Sequence, residues 1–329
     1  MNKRAIVFGA GGFIGSHLVK RLKLEGYFIK GVDLKLPEFS ETYADEFALA
    51  DLRIPEAVNT VLSGKQYDEL YQLGAWMGGA GFVFTGDNDA EIMHNSALIN
   101  INSANYAALH KVKKVFFSSS ACCYPWTNQN DINKTPITTE NSIYPANPDS
   151  EYGWEKIYSE RLYQAYARKL YFKIRIARFH NIMGIEGTFE GGKEKAPAAI
   201  CRKVINSEFD KTNEIEVWGN GQQKRTFLYI DECLEGVIRL MKSDYNKPLN
   251  IGSDEIISIN RLAEMIINIS GRKLIIKNIK DDKPIGVQTR TSDNILIKEI
   301  LDWQPNYPLR KGLKKLYDWM KDYIYNRNN

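Results

Sequence analysis

The succession of apolar and polar residues divides the chain into two halves of different texture. In the first half, short apolar runs alternate with stretches of helical period. Residues 3–8, 28–33, 47–52, 69–73 and 114–118 read as strands, and 173–179, where basic and apolar residues alternate, as a sixth. After the first of them, Ile14, Leu18 and Leu22 recur every four residues and mark one face of a helix. This alternation predicts an α/β fold with a doubly wound parallel sheet. The second half is mixed. Residues 195–205 and 231–241 read as helices, Ser258 caps an apolar-periodic run through Ile267, 274–279 is a short strand, and 313–323 is an amphipathic tail.

Composition narrows the class. A chain of 329 residues predicts about two domains or one large one. Its 44 basic against 40 acidic residues leave a net charge of +4, too little for a dedicated nucleic-acid binder and compatible with a small anionic ligand. Cys122, Cys123, Cys201 and Cys233 have neither the spacing of zinc ligands nor that of a disulfide framework, so no metal is expected. No apolar run reaches the ~18 residues of a membrane span. The first residues, MNKR, lead into a run too short for a signal peptide. The reading is a reduced, cytoplasmic protein with no membrane or nucleic-acid partner.

The first chemical signal follows the first strand. Gly9, Gly12 and Gly15, with Phe13 and Ile14 between the last two, form a G-x-x-G-x-x-G turn that opens a helix. Glycines there let the backbone approach a pyrophosphate, and the helix N-terminus offers free N–H groups. Asp33 ends the second strand 18 residues after Gly15, where a carboxylate bonds ribose hydroxyls and repels a 2′-phosphate. The pattern predicts NAD as cofactor on a Rossmann-type sheet. Asp51 and Leu52 fit an adenine contact, although Asp51 reads equally well as a turn cap. The expected layout is an NAD-binding domain over 1–180 with a returning segment 226–253. A smaller mixed α/β substrate domain is expected from 181–225 and 254–329.

The second signal is a serine run, Ser118-Ser119-Ser120, at the carboxyl edge of the sheet, followed by Ala121-Cys122. Tyr152 and Lys156, four apart, share a helix face further on. A neighbouring ammonium lowers a phenol's pKa and fits it for base work.

At these residues the chain resembles the extended short-chain dehydrogenase/reductases that act on sugar nucleotides. That resemblance implies a catalytic trio of Ser120, Tyr152 and Lys156, with Tyr152 and Lys156 also touching NAD. The strings Met77-Gly78-Gly79-Ala80-Gly81-Phe82, Phe179-His180-Asn181, Gly191-Gly192-Lys193-Glu194-Lys195-Ala196-Pro197 and Ser292-Asp293-Asn294 narrow it to the GDP-mannose 3,5-epimerase family. That family implies a GDP-sugar substrate, transient oxidation at C4, epimerisation at C3 and/or C5, and re-reduction. A GDP-sugar C4 dehydrogenase or 4,6-dehydratase on the same scaffold is the alternative.

Cys122 stands where related dehydratases carry a proton-abstracting Glu, so a thiolate base is expected, against the plainer reading of a small buried hydrophobe. Lys195 matches the family's acid, and also lies against the substrate. Trp218, Gln222 and Arg225 match a segment that carries the nucleotide diphosphate, and Arg290 matches a second phosphate-binding arginine. Asn181 is expected on the sugar or diphosphate, with Gly79 and Gly81 beside the hexose. His180 reads better as a core histidine than as a base. The family also implies a homodimer, with 101–111 and 152–169 as candidate interface helices. Two places depart from the family pattern: Trp76 replaces an Asp, and 85–93 is unlike the family's segment.

Overall fold

The structure, a computed structural model, describes residues 2–136, 138–279 and 286–328. The chain begins β1 (Arg4–Phe8), α1 (Phe13–Leu24), β2 (Phe28–Asp33), β3 (Glu46–Leu49), α2 (Pro55–Leu62), β4 (Glu69–Gln72), α3 (Ala80–Val83), α4 (Asp89–Leu109), β5 (Lys114–Ser120), α5 (Glu151–Arg168) and β6 (Lys173–His180). It continues β7 (Ile182–Met183), α6 (Ala196–Phe209), β8 (Glu214–Trp218), β9 (Lys224–Thr226), β10 (Leu228–Tyr229), α7 (Ile230–Lys242), β11 (Pro248–Gly252) and β12 (Ile256–Ser258). Then come α8 (Ile259–Ser270), β13 (Ile275–Ile279), α9 (Ile295–Leu301) and α10 (Leu309–Asn328).

Residues 5–8 of β1 are all fully buried, as a strand covered on both faces requires. Ala5 and Val7 enter one apolar layer, Ile6 and Phe8 the other. Around this strand seven strands pair in parallel in the order β11-β6-β5-β4-β1-β2-β3. The order reverses between β1 and β4, so a crevice opens there at the carboxyl ends, the ligand position of such sheets. The doubly wound parallel sheet expected from the sequence is present.

The differences are local. β5 continues beyond 118 through Ser119 and Ser120, carried by pairing with Arg178 and Phe179 of β6. The third strand stops at Leu49 rather than 52. Arg53 turns back there and takes the Asp51 carboxylate with both Nε (2.9 Å) and Nη2 (2.6 Å). β11, which completes the sheet against β6, had no strand signature of its own. Ser258 caps α8 as expected, accepting from Arg261 N at 3.3 Å.

Beyond β6, α6, α8 and α10 pack together, β8 pairs with β13 in parallel, and β9 with β12 antiparallel. Ile200, Leu262 and Leu313 of these helices belong to the same apolar layer as Ala5 and Val7. The two parts of the chain therefore share a core, which fixes the cleft between them.

The sharpest steric demand in the sheet's first turn is at Gly15, where a Cβ would lie 1.9 Å from Gly9 O. At Gly12 the same atom would lie 3.4 Å away. Gly15→Ala is therefore expected to destabilise the fold by about 1–3 kcal/mol or more, and Gly12→Ala by clearly less. Urea unfolding midpoints of the two variants check this.

Candidate active site

Two cavities lie along the carboxyl edge of the sheet. The first, about 430 Å³, is lined by Gly9, Gly12, Phe13, Ile14, Gly15, Asp33, Asp51 and Leu52, and also by Trp76, Lys193, Lys195 and Leu316. The loop is held open by its own contacts. Gly9 takes φ +83°, and Gly11 N donates to Asp33 Oδ2 at 2.9 Å. A Cβ at Gly11 would stand 2.0 Å from Lys35 O, so the turn lies against the end of β2 with no room for a side chain. Such a glycine cradle beside a helix N-terminus and an acidic strand end fits a dinucleotide. Lys35 and Ser118 line the same cavity.

The second cavity, about 260 Å³, is lined by Gly79, Gly81, Ser120, Cys122, Tyr152, Asn181, Lys195, Trp218, Arg225 and Arg290. Met77, Gly78 and Lys195 border both cavities. Gly79 is small because the 193–194 backbone lies on it: a Cβ there would stand 2.3 Å from Glu194 O. Trp76 sits between two cations, with Arg53 5.6 Å and Lys193 5.5 Å from its ring.

Two local devices set the reacting wall. Ser120 Oγ accepts Cys122 N at 3.1 Å and starts a 3-10 turn over Ala121–Cys123. Ser150 Oγ accepts Gly153 N at 3.3 Å and starts α5. Tyr152 faces the second cavity, and Lys156 lies behind it, 1% exposed, between the Phe117 and Tyr152 rings and 3.6 Å from Glu155. Burial pushes the Tyr152 phenol well above its ordinary range, the Cys122 and Glu155 charges add to that, and a bond to Ser120 offsets part of it. Burial likewise pushes the Cys122 thiol up, and Arg290 draws it back down. Burial lowers Lys195, with Cys122 and Cys233 opposing.

Two expected residues lie outside the cavities, and three others in the second cavity spend polar groups on protein partners. Lys156 lines neither cavity. Gln222 is exposed and lines neither: its backbone is held by Asn220 Oδ1 at 3.0 Å, and Gln223, donating to Trp218 O at 3.2 Å, faces the cavity instead. Asn181, at φ +46°, gives its amide to Thr226 O at 3.0 Å. Arg225 donates to Lys224 O (2.7 Å) and Val287 O (2.6 Å), and burial draws it down to about 9, with Arg290 adding. Arg290 bonds Gln129, Asp149 and Cys122. Asp149 and Gln129 had no motif to mark them. The local signal was an Asp, Asp149, just before the α5 cap Ser150. His180 is a fully buried core residue on the side chain of Asn250, at 2.9 Å.

The profile of the NAD dependent epimerase/dehydratase family matches residues 5–252. A GDP-mannose 3,5-epimerase of Arabidopsis thaliana is 44% identical over 98% of this chain and 83% of its own length. GDP-mannose 3,5-epimerase 1 of Oryza sativa subsp. japonica is 44% identical over 98% and 82%. The crystal structure of a UDP-glucose 4-epimerase with UDP-glucose, from Thermotoga maritima, superposes with a TM-score of 0.85 at 23% identity, covering 98% of this chain and 99% of that one. At that identity it speaks for the fold. No helix among the described residues is long and apolar enough to cross a membrane.

Burial lowers the His180 imidazole to about 4. The folded ring should show no titration step between pH 8 and pH 5 by NMR. Because the unfolded ring takes its proton near 6.5, folding stability should fall as pH drops from there towards 4, by at most one proton's worth per pH unit.

Proposed function

The chain belongs to the NAD dependent epimerase/dehydratase family, and on that premise we propose that it epimerises a GDP-sugar, GDP-mannose first among them, at C3 and C5. The observation that carries the reading is the meeting of Cys122, Lys195, Tyr152 and Ser120 on the wall of one cavity. The related dehydratases' Glu is replaced there by a thiol.

The Gly9–Gly15 turn and Asp33 would hold NAD, which would supply a two-electron acceptor and donor for C4 of the sugar. Tyr152 takes the C4 hydroxyl proton, and Ser120 hydrogen-bonds the same oxygen. Lys156, behind the Tyr152 ring, supplies the positive charge that a buried phenol needs before it ionises. With C4 a ketone, the hydrogens on C3 and C5 become acidic, because the carbanion spreads onto the carbonyl oxygen. Cys122 as thiolate removes one of them and becomes a thiol. Lys195 as ammonium returns a proton to the other face and becomes an amine. Solvent then takes the proton from the Cys122 thiol and returns one to the Lys195 amine, and Tyr152 gives its proton back when C4 returns to a carbinol. Arg225 is the diphosphate clamp, supported by its place in the cavity beside Trp218 and Gln223.

The four free thiols support a reducing compartment, the cytoplasm. A homodimer is supported by α4 and α5, which pack side by side and leave Met93, Ile101, Trp154 and Tyr158 exposed.

Tyr152→Phe should lower turnover of GDP-mannose at least ~10²-fold. In deuterated water, Cys122→Ala should leave a 4-keto sugar trappable while exchange at C3 and C5, read by NMR, falls sharply. Exchange as fast as wild type would make Cys122 a packing residue and leave the proton abstraction at C3 and C5 to another group. Arg225→Ala should weaken GDP binding about tenfold or more by calorimetry, and unchanged affinity would remove it from the clamp. Sedimentation should give a dimer that Trp154→Glu with Tyr158→Glu converts to monomer; a wild-type monomer would end that reading.

A further inference from the structure

Arg290 reaches the site from beyond β13 and is 5% exposed. Its guanidinium is fixed on three sides. Nε donates to Gln129 Oε1 at 2.8 Å, Nη2 pairs with Asp149, and Nη1 donates to Cys122 Sγ at 3.2 Å. Its partners are themselves fixed. Gln129 is fully buried, donates to Tyr124 O at 3.1 Å and accepts Thr289 N at 2.8 Å. Arg290 N is held by Lys224 O at 3.0 Å. A guanidinium spent in this way has its fork turned towards a sulfur and a carboxylate, and a phosphate would have to displace both.

We propose that Arg290 is a positioning residue for the thiol of Cys122: it holds the sulfur as thiolate towards the cavity, and Asp149 both orients it and restrains its pull. The proposal rests on the reading of Cys122 as the base. A guanidinium suits the task because it keeps its proton at any working pH. Lys195, by contrast, must change protonation during turnover. The charged and titratable groups facing the thiol are then Arg290 and Asp149, Lys195 at the start of α6, Arg225 of β9 and Tyr152 of α5. Of these, Arg290 alone is described bonded to the sulfur by its side chain. Burial raises the thiol, Arg290 lowers it, and Asp149 raises it.

The signs of the last two effects are opposite, which separates this role from a structural one. The test follows alkylation of Cys122 by iodoacetamide against pH in the full chain with its bound cofactor, quantified by mass spectrometry of the Cys122 peptide. Arg290→Gln should slow alkylation at pH 7 about tenfold or more and move its half-point to higher pH. Arg290→Lys should recover part of the rate. Asp149→Asn should speed alkylation and move the half-point down. An unchanged half-point in Arg290→Gln, or shifts of the same sign in Arg290→Gln and Asp149→Asn, overturns the proposal. Unchanged alkylation with lost GDP affinity would return Arg290 to the diphosphate. Since no sugar is present, alkylation is independent of the reading of Cys122 as the base, which stands or falls on deuterium exchange in Cys122→Ala.

Discussion

The contact that sets the reacting wall is backbone against backbone. Helix α5 crosses the end of β5 so closely at Gly153 that a Cβ there would lie 2.3 Å from the Cys122 carbonyl oxygen. This contact puts Tyr152 and Cys122 on one wall, since each is the direct neighbour of an atom in it. The two serine caps, Ser120 under Cys122 and Ser150 under Gly153, fix the backbones that meet. Below them α5 is tied to α4 by a buried polar chain in which Asn100 donates to Glu155 at 2.8 Å and Ser159 to the same oxygen at 2.6 Å. Lys156 is then placed by the helix rather than by a ligand.

Charge in the cleft is organised by burial. Arg178 and Glu160 form a doubly bonded, buried pair at 2.8 Å, completed by Ser119 Oγ donating to Glu160 at 2.6 Å and by Arg178 donating to Glu140 O at 2.7 Å. Replacing such a pair by apolar residues is often neutral, but removing one partner is not. Around the second cavity the balance differs. Its lining sets Lys195, Arg202, Lys203, Arg225 and Arg290 against Glu194 and Glu216, so the cavity keeps an excess of positive charge that an anionic ligand can neutralise. At the Cys122 thiol that charge, through Arg290, opposes the rise that burial imposes.

Much of this was legible along the chain because it is local. The glycine turn, Asp33, the serine run and the Tyr152/Lys156 spacing each lie within one turn or one strand end, and the family profile and the 44% identical relatives agree with the family those strings suggested. What escaped the sequence is long-range. β11 is five residues long and starts with Pro248, and only pairing with β6 makes it a strand. Gln222 and Gln223 are adjacent and alike in type, and the turn after Gly221 decides which one turns inward. Arg290 carried a phosphate-binding expectation, but its neighbours Gln129 and Asp149 come from 161 and 141 residues away. No spacing along the chain could announce them.

Leu316 of α10 gives the cofactor cavity a consequence for biosynthesis. The cavity that contains the glycine turn is lined also by a side chain some three hundred positions later in the chain. Chains generally fold as they are made, N-terminal part first. Here the early sheet can assemble around β1 long before the groove beside it is complete. A nascent chain thus carries an open half-groove until Leu316 has been made and docked, and the full wall of the cavity forms only then.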